Sequence, residues 1–124
     1  MVFIDKETND LSYKIIGCAY NVHKELGPGL LESAYETCLC YELSKIEINY
    51  EKQKGLPIIY KDVTLDCGYR IDILVENKIV IELKTVEKLL PIHTAQIMTY
   101  LKLSNKHLGL LFNFYNANLQ NGIK

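Results

Sequence analysis

The chain has 124 residues, 48% hydrophobic and 23% charged, which suits one compact domain with its own core and leaves no room for a second. No apolar run approaches the ~20 residues of a membrane span. The opening MVFIDKETND is acidic and polar where a signal peptide is basic and then apolar, so a cytoplasmic address is expected. The net charge of -1 gives no global attraction to nucleic acid, and with Arg70 the only arginine, base-specific reading is not expected.

Residues 1–9 read as a loose leader. From Asp10 onward, Leu11, Ile15, Cys18, Ala19, Val22 and Leu26 recur at helical spacing. Gly27-Pro28-Gly29 then stops that helix and lets another start. A second helix is expected from about Leu30 to Lys45, with Leu31, Ala34, Tyr35, Cys38 and Leu43 facing inward. Between 50 and 84 the period changes to extended, broken at Gly55, Pro57, Asp62 and Gly68, which predicts three or four strands, chiefly an antiparallel meander. Pro91 opens a helix over 91–104, HLGLLFNFY (107–115) reads as a buried strand, and the tail after Asn116 is short and polar. Two helices, a meander, a helix and a strand make one α/β domain over 1–124. The four cysteines contain no CxxC pair, and Cys38 and Cys40 point to different sides of a helix, so buried free thiols are expected rather than zinc or disulfides.

The informative stretch is RIDILVENKIVIELK (70–84), which sets Arg70, Asp72, Glu82 and Lys84 inside two apolar strands. Alternation places Glu82 and Lys84 on one face of the second strand, and Arg70 and Asp72 on one face of the first. A three-residue turn at Glu76, Asn77 and Lys78 pairs Val75 with Ile79, which sets Asp72 opposite Glu82 and Arg70 opposite Lys84, with Cβ atoms ~5 Å apart. Two facing carboxylates repel. They share a proton, are neutralised by the nearby bases in a four-member ion network, or hold a cation between them. Spacing leaves the ion network and the site about equally favoured. A hard cation such as Mg²⁺ takes oxygen ligands, and the Leu83 carbonyl could add one. Lys84 could orient a water and stabilise charge growing on a phosphate.

These residues carry a resemblance. Asp72, a hairpin and then Glu82-Leu83-Lys84 is similar to the core of the PD-(D/E)XK nuclease superfamily, with Ile71 standing where the motif has proline. GLLESAY (29–35) resembles the GxxExxY signature of one family of small proteins in that superfamily, and Gln96 with Tyr100 resembles the Q-x-x-x-Y helix of exonuclease-type members. The resemblance implies a restriction-endonuclease-like fold, a mixed sheet with helices on both faces. It implies Mg²⁺, with Mn²⁺ as a substitute, held by Asp72, Glu82 and the Leu83 carbonyl. Lys84 would assist the attacking water, Glu32 would bind a water of the metal shell or a second ion, and Gln96 and Tyr100 would support the metal shell or the phosphate.

Taken one by one, the same residues have plainer readings. Glu32 suits the first turn of any helix. Gln96 and Tyr100 suit a polar stripe, and His93 a surface position near a helix start. His23 suits a helix C-terminus. The leading expectation is a metal-dependent nuclease hydrolysing phosphodiester bonds in DNA or RNA with little sequence specificity. Its backbone contacts would come from Lys52, Lys54, Lys61, Lys88, Lys102 and Lys106. The alternatives are a catalytically inactive module of the same fold binding nucleic acid or a protein partner, and a structural ion network in an oligomer such as a homodimer.

Overall fold

The computed structural model describes residues 3–123. Helix α1 (Lys6–Leu26) starts four residues earlier than the apolar periodicity predicts. Asp5 is the reason: its side chain accepts the Thr8 amide at 2.7 Å and caps the first turn, which polar KETN would not announce by periodicity. The expected leader therefore shrinks to the residues before Asp5, of which Met1 and Val2 lie outside the described residues. The buried stripe is Ile15, Cys18, Ala19 and Val22, with Leu11 and Leu26 packed at its margin.

Gly27 and Gly29 take φ of 67° and 107°, left-handed values that a glycine adopts without strain, and turn the chain into α2 (Glu32–Lys45). The Tyr35 hydroxyl pins this turn from within the core, donating to the Gly27 carbonyl at 2.6 Å and accepting the Leu30 amide at 3.1 Å, while its ring stacks on Phe114 at 4.4 Å. Leu31, expected to face inward, is instead the residue before the first helical turn and is 78% exposed. Tyr35, Leu39, Cys40 and Leu43 carry the buried face.

The strands are β1 (Tyr50–Gly55), β2 (Ile58–Tyr60), β3 (Val63–Leu65), β4 (Arg70–Val75), β5 (Ile79–Lys84) and β6 (Leu108–Asn113). They do not form one sequential meander. β2 and β3 pair only with each other, as a small ribbon inserted between β1 and β4, and the main sheet runs β1-β4-β5-β6. β4 is antiparallel to both β1 and β5, whereas β6 lies parallel to β5. A parallel neighbour needs a crossover, supplied by α3 (Pro91–Ser104). Gly109 lets that helix lie close, because a Cβ there would stand 2.9 Å from Ile97 Cδ1.

The two faces of the sheet are covered by different helices. Ile73, Val75, Ile79, Ile81 and Leu83 pack with α1 and α2, while Leu74, Val80 and Leu111 pack with Ile97 and Tyr100 of α3. Helices on both faces of a mixed sheet are what the resemblance implies. The tail is more than a polar end: Leu119 is buried in a short 3-10 helix (Leu119–Gly122), and Ile123 bridges to Phe112. Lys124 lies outside the described residues. No described helix is long and apolar enough to cross a membrane.

Candidate active site

The turn between β4 and β5 has the expected geometry. Glu76 and Asn77 take φ of 50° and 55°, the Lys78 amide donates to the Val75 carbonyl at 2.9 Å, and Val75 pairs with Ile79. From there the register runs outward to Ile73 opposite Ile81, and then the regular ladder stops. At the next step the carboxylates of Asp72 and Glu82 enter the gap between the strands. The Asp72 amide donates to Glu82 Oε1 at 3.3 Å, and the Leu83 amide donates to Asp72 Oδ2 at 2.9 Å. Side chains have replaced backbone carbonyls as acceptors, so the two acids are fixed to opposite strands and brought face to face.

Strand β1 shows a break at the same level. Lys52 pairs with Ile73 and Lys54 with Ile71, so the count stays one to one, yet Gln53 sits between them at φ 50°. A non-glycine residue at positive φ inside a strand is strained. The distortion reaches the core: Ile73 and Val75 pack with α1 and α2, whereas Ile71 packs with Leu74 and α3. In an undisturbed strand Ile71 would share the face of Ile73. The Gln53 amide turns to Asp72 Oδ1 at 3.3 Å and to both Glu36 oxygens at 3.1 and 3.2 Å.

Electrostatics follow from this geometry. Glu82 is 4% exposed, and its pKa is pushed up to about 9, first by burial and then by the charge and hydrogen bond of Asp72. Lys84 pulls in the opposite direction but forms no ion pair with either acid. Among the described residues the ion pairs are Lys45–Glu42, Lys54–Glu51, Arg70–Asp66 and Lys78–Glu7. Arg70 is not paired with Lys84, because the β4–β5 ladder ends at Ile73, and its guanidinium instead reaches the Tyr69 carbonyl at 3.2 Å and Asp66 at 3.8 Å. The four-member ion network is therefore not formed, and the Asp72–Glu82 pair is left without a basic partner in ion-pair contact.

Glu32 opens α2 at the rim. Partial burial raises its pKa, Lys84 lowers it, and Asp72 raises it again, so it lies within the electrostatic reach of both. Among the described residues no group of three or more His, Cys, Asp or Glu side chains is arranged to hold a metal ion. Two carboxylates meet and the third stands off. In an extended strand the N–H and C=O of one residue point to the same edge, so the Leu83 carbonyl is directed with its N–H toward Asp72. Gln96 donates to the Tyr100 hydroxyl at 3.2 Å on α3. Burial raises the Tyr100 pKa, the Gln96 bond lowers it, and the charges of Glu82 and Asp72 raise it again, so this hydroxyl lies within their electrostatic reach.

Two of the histidines bond to backbone groups. His93 Nδ1 accepts the Leu90 amide at 2.9 Å and closes the start of α3, and His23 Nε2 meets the Asn116 carbonyl at 2.8 Å. The cysteines are free, with Cys18 and Cys40 buried, Cys38 half-buried and Cys67 exposed. Three residues escaped the sequence reading. Glu36 stands one turn after Glu32 and was findable from that spacing. Gln53 lay hidden in a charged edge strand, YEKQKG, whose composition speaks only of solvent. Asn113 is 1% exposed and holds Val86, two residues after Lys84, by accepting its N–H at 3.0 Å and donating to its C=O at 2.7 Å.

A family model described as the PD-(D/E)XK nuclease superfamily matches residues 9–124. No match was found among curated proteins or among solved structures.

Proposed function

Because the chain belongs to the PD-(D/E)XK nuclease superfamily, we propose that it is a divalent-metal-dependent phosphodiesterase acting on nucleic acid. The observation that carries this reading is the approach of Asp72 and Glu82 across the interrupted ladder, with Glu82 buried and its pKa raised to about 9. Such a pair is costly when both members are ionised, and a hard dication relieves that cost. The donor set is all oxygen, Asp72, Glu82 and the Leu83 carbonyl, which fits Mg²⁺ or Mn²⁺ and not a thiophilic metal.

When bound, such an ion supplies Lewis acidity to the phosphate and lowers the pKa of water. The chain's own residues do the rest. Asp72 and Glu82 would hold the ion, and the bonds from Leu83 and Gln53 keep Asp72 oriented. Lys84, free of ion pairing, offers its ammonium to the attacking water and to charge growing on the phosphate. Glu32 at the rim holds a further water, and Gln96 with Tyr100 supports the phosphate from α3. The GLLESAY stretch supports placing the chain in the GxxExxY branch, with Tyr35 as the clamp that sets where Glu32 emerges. The scattered lysines and the single arginine support backbone contact to DNA or RNA without base-specific reading. The free thiols agree with a cytoplasmic setting.

The test is cleavage of single- and double-stranded DNA and RNA with Mg²⁺ or Mn²⁺, beside Glu82→Ala. Cleavage in the parent that is lost in the variant supports the enzyme. Cleavage undiminished in the variant removes that support. A nucleic-acid-binding module without turnover is the second reading, favoured by the absence of a three-residue ligand cluster among the described residues. Binding with no cleavage under any of these conditions would select it.

A further inference from the structure

A groove of about 410 Å³ opens between α3 and the β2–β3 side of the molecule, lined by Ile58, Tyr69, Ile92, Tyr100 and Leu103, with His93, Gln96 and Thr99 as its polar groups. Its size falls within the ~300–1,000 Å³ of small-molecule pockets. Its composition is also of that kind: mostly apolar and aromatic walls with few polar groups. Tyr69 and Tyr100 meet edge to face at 6.1 Å and 67°, yet Tyr69 remains 44% exposed, so a π-face or edge stays open to a ligand.

The groove approaches the candidate active site along α3. Gln96 and Tyr100, joined by their 3.2 Å hydrogen bond, line it, and the Tyr100 hydroxyl lies within the electrostatic reach of Glu82 and Asp72. Tyr69 precedes Asp72 by three residues, about 10 Å of extended chain. Between them stands Arg70, exposed and held only loosely by Asp66 at 3.8 Å, with both side chains largely in solvent. Along this short stretch an exposed aromatic side chain is followed, three residues on, by the acid of the proposed metal pair, as a base and its neighbouring phosphate follow one another along a strand of nucleic acid.

Resting on the nuclease reading above, we infer that this groove receives an unstacked nucleobase next to the scissile phosphate, which makes single-stranded nucleic acid the substrate class. A base in a duplex is stacked on both sides and paired, and extruding it costs a few kcal/mol. A base in a single strand is already free to stack on an aromatic wall, and any base will do, because each has a π-face. Stacking of this kind needs no arginine fork to read base edges, in keeping with Arg70 as the only arginine.

The test compares binding, by fluorescence anisotropy in EDTA, of a labelled mixed-sequence DNA 12-mer, its RNA counterpart, the same backbone made wholly abasic, and a blunt duplex. Each probe is titrated with the parent, Tyr69→Ala and Ala95→Trp, the last placing an indole in the groove from its α3 wall. The expected result is binding of the base-bearing strands about tenfold or more tighter than the abasic strand and the duplex. Both variants should bring that ratio toward one while leaving abasic binding unchanged and melting temperatures close to the parent's. The DNA and RNA arms distinguish the two sources of the base. Equal binding of normal and abasic strands, preference for duplex, no binding to any probe, or a ratio insensitive to both variants would overturn the inference. So would self-association in sedimentation that Ala95→Trp abolishes, since the groove would then hold a second copy. Base-dependent binding without cleavage under any metal would leave the groove standing and sink the nuclease. Cleavage with base-independent binding would do the opposite.

Discussion

The Asp72 amide donates to Glu82 Oε1 at 3.3 Å while the Asp72 carboxylate faces the same residue, so one acid both holds and opposes the other. The consequence is a proton. With burial and Asp72 raising the Glu82 pKa from 4.5 to about 9, the metal-free folded pair retains a proton across the neutral range. The unfolded chain releases that proton near pH 4.5. Between these values the folded state binds more protons, so stability is fullest below about pH 4.5 and falls as pH rises toward 9. The slope can reach about 1.4 kcal/mol per pH unit for one proton. Urea unfolding in EDTA at pH 5 to 8 should show this decline, and Glu82→Gln, which mimics the protonated acid, should flatten it. Parallel curves for the two proteins would remove Glu82 as the cause.

A divalent ion competes for the same site as that proton. Millimolar Mg²⁺ or Mn²⁺ should raise the melting temperature, because binding is confined to the folded state. The rise should grow from pH 6 to pH 8 as the proton becomes easier to displace. Asp72→Asn should abolish most of the metal response. Its effect on the metal-free protein should be small, since the bond from the Leu83 amide weakens at a cost of about 1 kcal/mol and the neutral amide facing a protonated Glu82 leaves no buried charge unpaired. Four melting curves decide this. A destabilised variant together with a parent blind to metal would end the metal reading of the pair.

For Lys84 the expectation is separation of binding from turnover. Lys84 takes part in no ion pair among the described residues, so Lys84→Ala breaks none and should leave the melting temperature nearly unchanged. Removing a positive charge should leave metal affinity equal or slightly better. Cleavage should fall on the order of 10²-fold, as for loss of a transition-state charge partner. Collapse of metal affinity with melting of the fold would make Lys84 a structural residue instead.

Most of the fold was legible because its signals are local. Glycines at 27 and 29, Pro91 and the switch from helical to extended period mark the elements where the structure has them. The pairing of Asp72 with Glu82 was legible for a similar reason, since a hairpin turn fixes its own register. What failed was non-local or hidden in polar sequence. The Asp5 cap lies outside any apolar period, and nothing local says that β2 and β3 leave the main sheet. Turn geometry alone puts Arg70 opposite Lys84, but the ladder stops at Ile73, where the acids themselves take up the backbone donors. Gln53 could not be seen at all, because its role comes from a backbone kink that composition does not encode.

That kink gives the last prediction. Gln53 holds φ 50° in mid-strand, and its amide links Asp72 to Glu36 of α2. Gln53→Ala removes the amide and keeps a Cβ in the left-handed region. Gln53→Gly removes the amide and relieves the backbone. If the strain exists to aim Asp72, both variants should weaken metal binding by a similar factor, tenfold or more, as when an outer partner of a ligand is lost. Their stabilities should diverge: glycine should lie above alanine by about 1 kcal/mol, since only glycine adopts this φ without penalty. Gln53→Glu should destabilise above pH 5, where a third carboxylate beside Glu36 and Asp72 ionises and repels both. Metal titrations followed by melting temperature read both quantities in one experiment. Unchanged metal affinity in the alanine and glycine variants would mean that the kink merely shapes the sheet edge, and that Leu83 alone fixes Asp72.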